Sequence, residues 1–177
     1  MRRALLFPLL AIAATLLSSC GEPKADLANP KQIRKEHITL RLPGNWHVED
    51  EMHERGIHHL SIETPGDAMV IVQVFPETLA DDLKDYAKTF SAETSEAIPM
   101  GTMSGQIFTD LPEVEGWKAI KETLNIRLAT VVIPHTRFYY ARTFGKQRCF
   151  VTGQVSTEDL DKVKSGFELV RSSLLIE

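Results

Sequence analysis

Ile38, Leu40 and Leu42 alternate with Thr39 and Arg41, and period two marks a half-buried strand. Pro43-Gly44-Asn45 forms a turn, after which Trp46 and Val48 resume the apolar even positions. Beyond a polar stretch, His58, Leu60 and Ile62 again fall on even positions. Glu54-Arg55-Gly56 therefore reads as a three-residue hairpin loop, with Gly56 in the left-handed conformation that costs a glycine nothing. This register sets Val48 opposite Ile62, Asp50 opposite Leu60 and Glu51 opposite His59. Residues 68–75 are apolar on both faces, as expected of a central strand covered on both sides. Leu79, Leu83, Tyr86 and Phe90 then recur at helical spacing behind a Thr78 cap, and the aromatic pair reads as core.

Residues 93–101 read as a loop. Residues 102–109 read as a strand, and the acidic, Pro112-bearing residues 110–116 as another loop. Trp117 to Ile126 alternates strongly. Residues 128–133 predict a further strand ended by Pro134. Phe138–Phe144, a turn over Gly145-Lys146-Gln147, and Arg148–Val155 predict a hairpin. Ser156, with Asp159 in third position, caps a closing helix whose stripe is Leu160, Val163, Phe167, Val170 and Leu174. Four strands, a helix, a run of antiparallel strands and a second helix give an α+β class: an antiparallel sheet covered by amphipathic helices.

The N-terminus carries a different pattern. Arg2 and Arg3 precede an apolar run from Ala4 to Leu17, the layout of a secretory signal. The run is short of the ~20 apolar residues a membrane-spanning helix needs. Leu17-Ser18-Ser19-Cys20 resembles the lipobox of bacterial lipoproteins: an aliphatic residue, two small ones, then cysteine. That resemblance implies cleavage of residues 1–19, lipid on the Cys20 thiol, and anchorage to the membrane. Gly21 stands where, in Gram-negative lipoproteins, an Asp would retain the protein at the inner membrane. The expected address is thus the cell envelope, facing the periplasm, with the outer membrane favoured. Residues 20–35 have no apolar period and read as a lipidated, flexible tether. Residues 36–177 form a single domain.

Cleavage leaves 158 of 177 residues, enough for a real core, and shifts the formal charge from −4 to −6 by removing two arginines. An acidic chain without a basic run argues against nucleic acid as a partner. Of the two cysteines, lipid on Cys20 would leave Cys149 without an intrachain mate and the chain without a disulfide framework. It reads as a small strand residue.

The strand–turn–strand start with Pro43-Gly44-Asn45-Trp46, the valine-rich strand, the late hairpin and the closing helix ending in Ser172-Ser173-Leu174 resemble the PsbP-like superfamily. That superfamily includes a photosystem subunit, a Ran-binding nuclear-import factor and DcrB-type bacterial lipoproteins. The resemblance spans about residues 37–175 and implies an α/β/α sandwich with a binding or assembly role. It transfers no active site.

Candidate chemistry is sparse. Glu51, His53 and His59 share the solvent face of the predicted hairpin and could ligate zinc or copper, whereas His58 points the other way. The serines lie outside any Gly-x-Ser-x-Gly motif, and Gly101-Thr102-Met103-Ser104-Gly105 has the wrong spacing. His135 follows a proline and has no evident acid partner. The reading is a lipid-anchored, non-enzymatic envelope protein with a protein partner and no cofactor. The alternative is a carrier or sensor for a small ligand or metal, held near Trp46, Trp117 or the hairpin tip.

Overall fold

The structure is a computed structural model and describes residues 22–98 and 101–177; Cys20 and the preceding signal lie outside them. Ten strands and two α-helices form it: β1 Lys31–Lys35, β2 Ile38–Leu42, β3 His47–Glu54, β4 Ile57–Glu63, β5 Met69–Pro76, α1 Leu83–Ala97, β6 Gly101–Val114, β7 Trp117–Leu128, β8 Val131–Phe144, β9 Gln147–Ser156, α2 Leu160–Ser173 and β10 Leu175–Ile176. Seven strands form one antiparallel sheet in the order β3-β4-β5-β9-β8-β7-β6. The class is α+β, as the sequence predicts. The first strand that alternation predicts, β2, does not join that sheet. It pairs instead with β1 and β10 in a separate three-stranded sheet.

Neighbouring strand residues point to opposite faces, and the core divides accordingly. Leu60, Ile62, Val70, Val72, Phe138, Cys149 and Val151 face one way. They bury against Ile38, Leu40 and Leu42 of β2 and Val163, Phe167, Val170 and Leu174 of α2. Tyr139, Phe150 and Ile120 face the other way, against Leu83, Tyr86 and Ala87 of α1. Tyr86 stacks on Phe150 with 4.0 Å between ring centroids and is core, as its spacing suggests. Gly166 lets α2 approach closely. A Cβ there would lie 2.5 Å from the ring of Trp46, which is fully buried beneath it.

Several element boundaries differ from the sequence reading, each for a local reason. The α1 cap is Asp82, whose Oδ1 accepts the backbone N–H groups of Lys84 and Asp85 at 2.8 and 2.9 Å. Thr78 sits in a 3-10 turn, Glu77–Leu79, and Leu79 is exposed. The helix then runs on to Ala97, through most of the predicted loop. β6 continues past Pro112 because it is the edge strand, where a missing N–H need not cost a ladder bond. β8 likewise passes through Pro134, which pairs with Asn125 just beyond the end of the β9 ladder at His135. Ser156 bonds the Asp159 carboxylate at 3.3 Å and caps no backbone N–H with its side chain.

The largest difference is at the predicted tether. From Glu22 onward the chain is fastened to the domain. The Glu22 carboxylate accepts the Ala68 N–H at 2.9 Å, and its own N–H donates to Asp159 Oδ2 at 3.3 Å. Ala25 N–H donates to the Lys162 carbonyl at 2.9 Å, and Gly44 N–H to the Asp26 carbonyl at 2.8 Å. Asn45 clamps the same strap through Asp26 N–H and the Lys24 carbonyl, both at 2.9 Å. Backbone and Asx hydrogen bonds hold this segment, so it leaves no apolar period in the sequence.

Candidate histidine–carboxylate site

The β3–β4 hairpin turns in two residues, Arg55 and Gly56, with φ of 52° and 83°. Positive φ at both positions is the mark of a type I′ turn, whose twist suits a hairpin. Val48 lies opposite Ile62, as the alternation predicts. The register then shifts at a bulge between Val48 and Asp50, which sets Glu51 opposite Leu60, Met52 opposite His59 and His53 opposite His58. One extra residue in a strand reverses the faces of everything after it. Glu51 and His53 therefore share their face with His58, not with His59, with Glu51 partly buried and His53 still exposed.

The predicted set of Glu51, His53 and His59 is corrected on that ground. His59 lies on the opposite face. Its Nε2 is 3.2 Å from Ser61 Oγ, and it lines a shallow cavity of about 290 Å³ with Met52, Ile57 and Gln73. Burial pushes its pKa down.

The β1–β2 turn completes the inward cluster. Glu36 takes φ of 47° there and is followed by His37. His58 is 2% exposed. Its Nε2 is 2.9 Å from Glu51 Oε1, and its ring centroid lies 3.8 Å from that of His53 and 5.2 Å from that of His37. His53 Nε2 is 3.5 Å from Glu51 Oε1, and His53 Nδ1 is 3.7 Å from Glu36 Oε2. Lys35 Nζ donates to the second oxygen of Glu51 at 2.9 Å. Among the described residues, His58 Nδ1 and His37 Nε2 are buried without a hydrogen-bond partner.

The electrostatics follow from these contacts. The Lys35 ammonium, helped by His58 and His53 and opposed by partial burial, holds the Glu51 carboxyl down to about 2. Burial pushes the His58 pKa below the usual histidine value, against the pull of Glu51, and so favours its neutral imidazole. One ligand atom each from Glu36, His53 and His58 fall within 4.8 Å of one another. A neutral imidazole fixed by a carboxylate is a metal ligand or a proton acceptor, depending on what it meets.

The remaining candidates are structural. Cys149 is fully buried and burial pushes its thiol up, away from the reactive thiolate. His135 is buried, with Nδ1 3.0 Å from the carbonyl of Ile133 on its own strand. Trp46 and Trp117 are both packed in the core.

On the opposite face lies a charged network with no sequence signal beyond strand alternation. Glu122 and Arg137 are both 0% exposed and paired at 3.1 Å. Tyr139 OH donates to Glu122 at 2.6 Å, Ser91 of α1 donates to its other oxygen, and Gln154 accepts from Arg137 at 2.7 Å. It ties α1 to three strands.

A scan of the sequence against protein-family models gives no match, and neither does a search of curated proteins. Among solved structures, the chain is similar to the yeast Ran-binding protein Mog1p from Saccharomyces cerevisiae. That likeness has 9% identity, a TM-score of 0.48 and coverage of 84% of this chain and 95% of that one. It is also similar to LpqN, involved in cell envelope biogenesis of Mycobacterium tuberculosis, at 10% identity, a TM-score of 0.42 and coverage of 84% and 90%. With cyanobacterial PsbP (CyanoP) from Synechocystis sp. PCC 6803, 16% of residues are identical, and 92% of this chain and 99% of that one are covered at a TM-score of 0.57. This last likeness shows that the chain has a PsbP-like fold.

Proposed function

We propose that this chain is a lipid-anchored cell-envelope protein that works by binding a protein partner, without catalysis of its own. The observation that carries the reading is Leu17-Ser18-Ser19-Cys20, a complete lipobox, standing two residues before the point at which the chain is fastened to the domain. Two residues span at most ~7 Å. Lipid on Cys20 would therefore hold the Glu22–Ala68–Asp159 pole against the bilayer, with no long tether between. The Arg55-Gly56 tip, at the other end of the seven-residue β4, would stand roughly 20 Å further out. Among the described residues no helix is long and apolar enough to cross a membrane. Gly21 in place of Asp supports the outer membrane and a periplasm-facing domain.

The exposed apolar side chains at the tip of the β7–β8 hairpin, Leu128, Val131 and Val132, are the surface offered for the partner. Fractionation of cells expressing wild type and Cys20→Ser tests the anchor. Wild type is expected in the membrane fraction, and the variant as unlipidated precursor or released protein. A variant processed and anchored like wild type overturns the reading. Crosslinking in intact envelopes tests the partner, and repeated recovery of the protein alone contradicts a binding role.

A further inference from the structure

The inward cluster at the β3–β4 hairpin has more ligand atoms than the fold needs. Glu36 comes from the small sheet's turn, and His53 and His58 from adjacent strands of the large sheet. We propose that Glu36, His53 and His58 bind a divalent transition-metal cation of the zinc class, with Glu51 orienting His58 and the ion stapling the two sheets together. The site stands whether or not Cys20 carries lipid.

Three observations converge on it. First, the donor set is right. Two imidazoles and a carboxylate suit zinc, copper(II) or nickel, whereas magnesium and calcium want oxygen ligands throughout. Three protein ligands leave a fourth position for water. His53 Nδ1 lies 3.7 Å from Glu36 Oε2, near the ~3.3 Å edge of a tetrahedron with ~2.0 Å metal–ligand bonds, and one ligand atom from each of Glu36, His53 and His58 falls within 4.8 Å of the others. Small side-chain rotations bring the ligands in.

Second, His58 has an unanswered atom. Its Nε2 faces Glu51 at 2.9 Å, while Nδ1 is buried with no hydrogen-bond partner among the described residues, in a side chain 2% exposed. A buried unpaired nitrogen is destabilising, and a cation bound there would relieve it. A carboxylate on one imidazole nitrogen with metal on the other is the usual outer-shell arrangement of a histidine ligand.

Third, the charges balance. The carboxylates of Glu36 and Glu51 both border His53, against a single ammonium, Lys35, on Glu51. The net negative site, drawn from two sheets, gains from a divalent cation and from no anion.

The test uses detergent-solubilised full-length protein, stripped with EDTA and dialysed, and titrated with ZnCl2 alone by calorimetry. The expected result is one zinc per chain at micromolar or tighter affinity, with a raised melting temperature because the ion joins two sheets. His53→Ala, an exposed and therefore fold-tolerant change, is expected to weaken binding by more than about 100-fold. Glu51→Gln, acting through His58, should weaken it by about 10–100-fold. His59→Ala should leave it unchanged. Cobalt substituted for zinc should give the intense visible bands of a tetrahedral centre, which His53→Ala abolishes. Absence of zinc binding at 100 µM overturns the proposal. So does binding that His53→Ala and Glu36→Ala leave intact, since the ion would then sit elsewhere, as at the exposed His47–Glu63 pair.

Discussion

Glu122→Ala leaves the Arg137 guanidinium buried without its counter-charge. Both side chains are 0% exposed, and the partners left to Arg137 are Gln154, the Tyr139 hydroxyl and the Phe90 ring at 5.2 Å, all uncharged. The same change strips an acceptor from Ser91 and from Tyr139, whose burial already pushes its hydroxyl pKa well up. Breaking a buried pair by removing one partner costs about 3–5 kcal/mol. The orphaned hydroxyls share that cost and do not simply add to it. Against a total stability of ~5–15 kcal/mol this is a large fraction. For a domain of this size it corresponds to a melting-temperature drop of roughly 6–20 °C. Urea unfolding followed by the fluorescence of buried Trp46 and Trp117 measures it. The double variant Glu122→Leu/Arg137→Met removes both charges. It should recover most of the loss, because replacing a buried pair by apolar side chains is often neutral or stabilising. A Glu122→Ala loss below about 1 kcal/mol, or a double variant as unstable as the sum of its singles, would refute the view that a dry, mutually dependent pair holds α1 to the sheet.

Gly166→Ala would gain ~1 kcal/mol in a free helix, but here the new Cβ meets the Trp46 ring at 2.5 Å and the Ala25 Cβ at 3.0 Å. Overpacking of ~1–3 kcal/mol wins, so the melting temperature should fall, and a rise would contradict the close packing. The Asp159 carboxyl is held below its ordinary value, chiefly by the Lys162 hydrogen bond and also by the Glu22 N–H. A depressed carboxylate contributes stability above its unfolded pKa of ~3.9 and loses it as pH falls through the lower folded value. The stability gap between wild type and Asp159→Asn should therefore be full near neutrality and close below about pH 4. In the variant, the Ala25 and Ala68 amides should exchange faster near neutral pH. Parallel pH curves with unchanged exchange would count against the strap.

How far the sequence reaches depends on how each element is held. The α2 stripe of Val163, Phe167, Val170 and Leu174 is legible because a single face meets the core over four turns. The β8–β9 hairpin is legible because two long strand-forming arms flank the Gly145-Lys146-Gln147 turn. Leu79 misled because one apolar residue four positions before Leu83 mimics a helical stripe; the Asp82 carboxylate caps the helix after it. Pro112 looked like a strand breaker because sequence does not reveal which strand is an edge. The strap at residues 22–29 was invisible because polar contacts fasten it. Glu122 and Arg137 are directly cross-strand, a fact available only once the β7–β8 register is known.

The candidate site shows the same limit most sharply. Glu51 and His53 were found from composition and alternation. Alternation places His58 on the inner face, where it is, but puts Glu51 and His53 on the wrong one, because the bulge after Val48 falls among Glu49, Asp50 and Glu51, where no apolar residue reports the change of phase. Glu36 and His37 come from a second sheet, and that proximity has no local signature.

The proposed function rests on the lipid anchor at Cys20. Intact-mass and N-terminal peptide analysis of the protein extracted from host membranes tests it most directly. A mature chain beginning at Cys20, carrying a diacylglyceryl thioether and continuing with Gly21 and Glu22, is the predicted result. An unmodified Cys20, or a mature N-terminus at any other residue, would contradict a domain held to the membrane by its own first residues.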